Sequence, residues 1–499
     1  MTSATTERTR EPLLAPAESR IVWLLLAAAF VAILNETTMG VAIPHLIVDL
    51  GITALSAQWL TTAFMLTMAV VIPITGFLLR RFTTRQVFIA AMTLFSLGTL
   101  IALLSPGFGV LLVARVVQAM GTAIMMPLLM TTLMTIVPAH SRGRMMGRVS
   151  IVMSLAPAIG PTLSGILLEL GWRWIFAVVL PIALLSLAMG ARWIRNLGET
   201  TRAPIDILSV ILSAFGFGGI VYGLSQIGGA AAHGGSAADA AAQSMSSLSL
   251  VIAFATGGVA LSLFLWRQVR LQRADDALLD LRVFRDHNFS LAIGQMALLS
   301  LAFFGTITVL PLYMQRGLEH SALETGLAVL PGSLLMGLAG PFIGRIYDAR
   351  GTRVLLVPGA VIAVSMLWIF ALTFTATTPL WYIVVAQTML SLGLALSFTP
   401  LFTASLGSLS PQFYSYGSAV LGTVQQVAGA AGIAVMITVM SSVSTASIES
   451  GTASAVAEAQ GAHSAFLLAA TISLPLLLGA FLIRKPADNT PGAPAAAGH

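Results

Sequence analysis

Two charged side chains fall deep inside apolar stretches of this 499-residue sequence: Glu36, in the string Leu34-Asn35-Glu36-Thr37-Thr38, and Arg115, in Arg115-Val-Val-Gln118-Ala-Met-Gly121. Ionisable groups are costly to keep in hydrocarbon, and chains that retain them use them for ions, protons or substrate. At about 1.5 Å per helical residue, Glu36 lies ~24 Å from Arg20 at one edge of its stretch and ~12 Å from Pro44 at the other, while Arg115 lies ~9 Å inside its own. The two charges therefore sit at similar depth. A carboxylate between a cation and an apolar surround feels opposed influences on its proton affinity, so it can load and release a proton. The other reading is a fixed salt bridge that only holds helices together.

Arg115 and Gln118 are three residues apart and share a helix face; Gly121 permits close approach of a neighbouring helix. Asn35, Thr37, Thr38 and Gln118 are the candidate neighbours of Glu36 in a relay or cavity. Met125 belongs to a methionine-rich stretch suited to varied apolar ligands. Gln295 and Gln425 are polar groups within later stretches, able to face a cavity or to bond across helices. Trp59, Phe64, Phe303, Phe304 and Tyr313 are further lining candidates. Gly147, Pro157, Gly160, Pro161 and Gly165 follow one another along a single stretch, where small residues and prolines allow bending and tight packing.

Several chemistries are excluded. No cysteine is present, so disulfides and thiolates play no part. The sole lysine is Lys485, which rules out a phosphate-binding G-K-[ST] loop and with it an ATP-driven pump. Seven scattered histidines and a lone buried acid leave no metal or nucleophile constellation, so the chain is not expected to be an enzyme.

The elements that position these residues are membrane spans. The chain is 57% hydrophobic and 9% charged with a mean hydropathy of +0.92, against about 25% charged residues in soluble domains. Fourteen apolar stretches of spanning length occur near 21–44, 57–79, 86–104, 109–133, 145–168, 174–194, 205–227, 247–266, 289–314, 324–346, 354–375, 380–403, 417–441 and 464–483. All basic residues except Arg115, Arg173 and Arg316 fall on alternate connections, starting with the N-terminal one. The positive-inside rule then places both termini in the cytoplasm. Basic rims facing anionic lipid account for the pI of 10.3 without nucleic acid. The polar start of the chain does not read as a cleavable signal, so the first span serves for insertion.

An internal repeat divides the chain. Gly76-Phe-Leu-Leu-Arg80-Arg-Phe-Thr-Thr-Arg85 follows span 2, and Gly344-Arg-Ile-Tyr-Asp348-Ala-Arg350-Gly-Thr-Arg353 follows span 10. Val41-Ala-Ile-Pro44 and Thr308-Val-Leu-Pro311 recur at nearly the same offset, which argues for two parallel six-span repeats. The expected organisation is an N-terminal tail over 1–19, a six-helix bundle over 20–196, and two inserted helices over 205–270. A cytoplasmic amphipathic segment over 271–288, a second bundle over 289–484 and a tail over 485–499 complete it. The outer connection 228–247, rich in Gly, Ala and Ser, reads as a flexible loop.

These strings resemble the major facilitator superfamily, and within it the fourteen-span drug:proton antiporters of the lincomycin-resistance-like branch. Leu34 to Pro44 is similar to that family's first-helix signature, L-D-x-T-x-x-N-V-A-L-P, with Asn35 at the Asp position and Glu36 one residue later. Arg115, Gln118 and Gly121 match its fourth-helix motif. Gly147, Gly160, Pro161 and Gly165 match the antiporter motif of the fifth helix, which also holds Pro157 and is followed by Trp172-Arg-Trp-Ile-Phe176. Gly344, Asp348, Gly351 and Arg353 match the loop motif, which Gly76, Arg80 and Arg85 repeat with Arg80 in place of the usual Asp.

The resemblance implies an all-α polytopic major facilitator fold of 14 helices (6 + 2 inserted + 6), with two pseudo-symmetric bundles rocking around a midplane cavity. It implies a monomer in the bacterial cytoplasmic membrane that exports small, largely hydrophobic drugs or toxic compounds. Protons are the coupling ion, with no other cofactor. Glu36 and Arg115 would be the coupling pair, and the loop copies a cytoplasmic gate in which Asp348 pairs with Arg350 or Arg353. Export of an endogenous lipid, siderophore or metabolite fits the same fold, as does a non-transporting membrane sensor.

Overall fold

Long apolar runs in hydrocarbon must satisfy every backbone N–H and C=O internally, and the helix does so within one segment. In the computed structural model, which describes residues 15–196, 206–232 and 240–486, the chain is helical throughout and no strand occurs among the described residues. The first six helices are α1 (Pro16–Leu50), α2 (Ala54–Arg81), α3 (Thr84–Leu103), α4 (Phe108–Ile136), α5 (Arg142–Leu168) and α6 (Arg173–Trp193). Two more, α7 (Ile207–Ala232) and α8 (Ala240–Leu271), form a hairpin. The second set comprises α9 (His287–Leu312), α10 (Ala322–Arg350), α11 (Arg353–Thr373), α12 (Leu380–Ser408), α13 (Tyr414–Glu449), α14 (Ser454–Ser473) and α15 (Pro475–Leu482). Fourteen segments are long and apolar enough to cross a membrane, with α14 and α15 making up the last. An even number of crossings puts both ends of the described chain on one side, called here the termini side.

Helix ends follow local chemistry. Thr53 caps α2 by accepting from the Ser56 amide, and Asp286 caps α9 by accepting from Phe289 N at 2.7 Å. Thr83 with Gln86, and Ser321 with Glu324, form capping boxes at α3 and α10. Gly51, at φ +60°, closes α1 in the left-handed conformation.

The halves meet second helix to fifth: α2 against α13, and α5 against α10. Glycines set the second contact. A Cβ on Gly147 would overlap the Gly340 carbonyl, and one on Gly344 would overlap that of Gly143. Two small-x-x-x-small faces thus lie backbone to backbone. Helix α7 lies against both α2 and α13, with α8 packed on α7.

One local expectation needs correction. The 228–247 connection is largely helical, since α7 runs to Ala232 and α8 begins at Ala240; residues 233–239 lie outside the described ones. Helix propensity of the alanine-rich sequence outweighs its loop-like composition. The segment 271–288, expected as cytoplasmic and amphipathic, turns its apolar positions to the protein. It folds into two short 3₁₀ turns, and Leu278, Leu279 and Val283 are buried in the protein core. The expected tails 1–14 and 487–499 fall outside the described residues.

Candidate functional site

Arg115 is 1% exposed, and three interactions compensate its buried charge. Its Nε donates to the Leu60 carbonyl of α2 at 3.4 Å, its Nη1 to Gln118 Oε1 at 3.1 Å, and its guanidinium lies 4.1 Å from the centroid of the Phe64 ring. Gln118 Nε2 passes the chain on to Thr99 Oγ1 of α3 at 2.9 Å, and that hydroxyl donates to Phe95 O at 2.7 Å. The glycines make this reach possible. A Cβ on Gly121 would overlap Ala91 O, and one on Gly98 would stand 2.6 Å from Gln118 N.

Glu36 is placed differently. It is half-buried on α1, and neither hydrogen bond nor ion pair engages its carboxylate among the described residues. Arg115 is the charged group that acts on it, through space and beyond ion-pair distance. The two charges thus share a neighbourhood, as their depths predict, without forming the closed salt bridge. Arg115 is a fixed cation held by α2, α3 and α4, and Glu36 is an unsatisfied acid beside it.

The neighbours of Glu36 divide by helix face. Thr37 turns to α5, where its Oγ1 fills the space a Cβ on Gly160 would need. Ser164 of α5 donates to Thr38 O at 3.0 Å, and the Thr38 hydroxyl donates to Asn35 O at 3.1 Å. The Thr37 and Ser164 contacts pack α1 on α5, while the Thr38 hydroxyl bonds within α1. Asn35 is 1% exposed, and both polar atoms of its amide lack a partner. It shares neither the surroundings of Glu36 nor its exposure, because one residue along a helix is a turn of ~100°.

On α5, helix runs unbroken through Pro157 and Pro161, whose side chain at Pro161 is outside the description. Gly165 faces open space, so only Gly147 and Gly160 of this motif serve close helix contacts. Two cavity candidates are also corrected. Met125 is 1% exposed within the apolar core, and Gln295 donates to Pro475 O at 3.2 Å on the face of α9 that meets α15. Tyr313 likewise points inward, giving its hydroxyl to Thr375 O at 2.6 Å. Gln425 is half-buried without a hydrogen bond. A crevice of ≈460 Å³ between α2, α7 and α8 is lined by Leu66, Val70, Phe215, Tyr222 and Ile252 among others; none of the candidate residues lines it.

On the termini side the two copies of the loop motif join the halves by different means. Asp348 Oδ1 and Oδ2 accept from the Gly143 and Arg144 amides at 2.7 and 2.9 Å, and Arg144 Nε lies 3.4 Å away. A carboxylate on the first amides of α5 meets both unsatisfied donors and the positive helix end. Arg350 and Arg353, expected as its partners, are exposed and do not contact it. In the other copy Arg80 donates to Tyr416 OH at 3.2 Å, and Gly76 lets α13 approach, with Tyr416 Cδ1 3.0 Å from where its Cβ would be. Tyr416 OH donates in turn to Ala277 O at 3.1 Å. Arg85 is exposed. Arg142 with Tyr414 at 3.0 Å and Ser150 with Thr399 at 2.6 Å extend the seam. Sequence reasoning passed over Tyr414 and Tyr416; their position at the start of a span opposite Arg80 was the available signal.

The sequence model of the Major Facilitator Superfamily matches residues 25–433. An MFS-type transporter of Bacillus subtilis, YcnB, is 41% identical over 473 residues, covering 94% of this chain and 95% of that protein. The lincomycin resistance protein LmrB of Listeria monocytogenes is 38% identical over 473 residues, covering 93% and 96%. Among solved structures, the human organic anion transporter MFSD10 superposes with a TM-score of 0.63 at 16% identity, covering 94% of this chain and 100% of that one. That likeness bears on the fold.

Proposed function

This chain belongs to the major facilitator superfamily, a family of membrane transporters and not of enzymes, and from that premise we propose that it is a proton-coupled antiporter exporting small, largely hydrophobic compounds by alternating access. The observation that carries the reading is the unpaired carboxylate of Glu36 beside a cation already committed elsewhere. A closed Glu–Arg pair would have its charge balanced in place. A carboxylate left without a donor in an apolar surround gains by taking up a proton, and it gives the proton back where water or substrate reaches it.

In the proposed cycle Glu36 is protonated from the outside as substrate leaves outward. The termini side, taken as cytoplasmic on the arginine pattern, then opens, and loss of the proton inward resets the site. The seam at Asp348 and Tyr416 would be the cytoplasmic gate, and the protein would work as a monomer in the bacterial cytoplasmic membrane. The names of the lincomycin resistance relatives support drugs as the substrate class.

Transport into proteoliposomes under an imposed pH gradient tests the reading, with lincomycin, taken from those names, as the first probe. Wild-type protein should concentrate the probe against its gradient and Glu36→Gln should not. Uphill transport by Glu36→Gln with unchanged pH dependence would remove Glu36 as the coupling site.

A further inference from the structure

The chain leaving α15 is tied down at the same place as the gate. Asn288, in the first turn of α9, holds it from one side: Arg484 N donates to Asn288 Oδ1 at 2.9 Å, and Asn288 Nδ2 donates to Arg484 O at 3.1 Å. Lys485, the only lysine in the sequence, holds it from the other. Its Nζ donates to the backbone carbonyl of Asp348 at 2.9 Å, and its stem lies over Gly351, with Cβ 3.5 Å from where a Cβ on that glycine would be. Pro486 then sits against Gly407 of α12, in a void of ≈20 Å³ walled by Arg142 of the first half and Tyr347 of the second.

Asp348 is therefore held twice. Its side chain caps the first amides of α5, while its carbonyl, among the last four of α10 that lack a helical partner, is capped by Lys485. A cation at a helix C-terminus meets both the free carbonyl and the negative end of the helix. We propose that Arg484–Pro486 is a strap that holds the termini side closed, with Lys485 as the positioning residue that fixes the last turn of α10 and so keeps Asp348 on α5. Opening the seam requires α10 to part from α5, and the strap opposes this by fastening the moving end of α10 to α9 and α12. The inference rests on reading that seam as a gate.

The chain carries one side-chain amine and no cysteine, so both readouts are clean in the full-length protein in lipid nanodiscs. The first is the rate at which an amine-acylating reagent modifies Lys485, followed by mass spectrometry. Asn288→Ala, which unties the strap without touching Lys485, should raise that rate roughly tenfold or more, as expected for release of a hydrogen bond to a charged donor. Equal rates in the two proteins would overturn the strap. The second is the distance between spin labels on cysteines placed at the exposed His140 and Val354. Lys485→Ala should move population to longer distances, and Lys485→Arg should restore the short one. An unchanged distribution in Lys485→Ala would overturn the positioning role. If both readouts behave as expected while no transport is seen, the antiport reading fails and the strap stands.

Discussion

Replacing Asp348 by Asn tests how much one carboxylate contributes to the closed seam. The wild-type side chain accepts two backbone bonds, at 2.7 and 2.9 Å, and an ion pair at 3.4 Å from an Arg144 side chain that is 39% exposed. An amide keeps one oxygen acceptor and loses the other, so one bond to a charged acceptor disappears, a loss of about 1.5–3 kcal/mol. Removing the negative charge from the positive end of α5 takes away about 0.3–1 kcal/mol more. The ion pair, discounted for solvent screening, adds between nothing and about 1 kcal/mol. The closed arrangement should therefore lose about 2–5 kcal/mol relative to the open one, roughly a 30- to 5000-fold change in their ratio. A closed state populated at about 99:1 would fall to near or below parity. Distances between spin labels at introduced cysteines report that ratio directly. The reasoning is refuted if folded Asp348→Asn keeps the wild-type ratio within about threefold, a change of well under 1 kcal/mol.

The two glycines of the α5 motif should respond oppositely to a methyl group: Gly160→Ala drives a Cβ into Thr37 Oγ1 and should cost about 1–3 kcal/mol, whereas Gly165→Ala meets open space and should be neutral or mildly stabilising. Thermal unfolding in detergent separates them, and equal midpoints would show that α1 does not rest on Gly160. At the start of α7, burial works against ionising Asp206, but hydrogen bonds from Arg267 (2.7 Å) and from Ser209 outweigh it and hold the carboxyl below its ordinary value. A depressed folded value means that the stabilisation is fully present above the ordinary carboxylate pKa and is lost as pH falls through the folded value. Unfolding midpoints of wild type and Asp206→Asn should therefore differ at neutral pH and converge in acid; a difference that does not shrink would dismiss the link between α7 and α8.

What was legible in advance was the part of the protein that follows from hydrocarbon as a solvent. Apolar run length requires helices, and the repeated loop strings pair Gly76 with Gly344 and Arg80 with Asp348. Residue types also marked Glu36 and Arg115 as the groups to explain, because a charge at that depth is rare whatever surrounds it. The segment 271–288 was legible only in part, for a related reason. Its apolar positions were visible, but a pattern of apolar and charged residues is the same whether it rests on lipid or on the protein's own core.

Orientation around each helix and the choice of partner were decided by the tertiary structure. Thr37, Thr38 and Met125 are as polar or apolar as cavity residues would be, yet packing against α5 and within the core claims them. Asp348 has arginines close by in sequence and binds instead to the amides of a helix more than two hundred residues away. The sequence alone determined that an acid and a guanidinium share a depth in the membrane. Only the assembled bundle decided that the guanidinium is taken by Leu60, Gln118 and Phe64 while Glu36 is left without a donor, because hydrogen-bond geometry depends on ångström distances between helices that linear spacing does not encode.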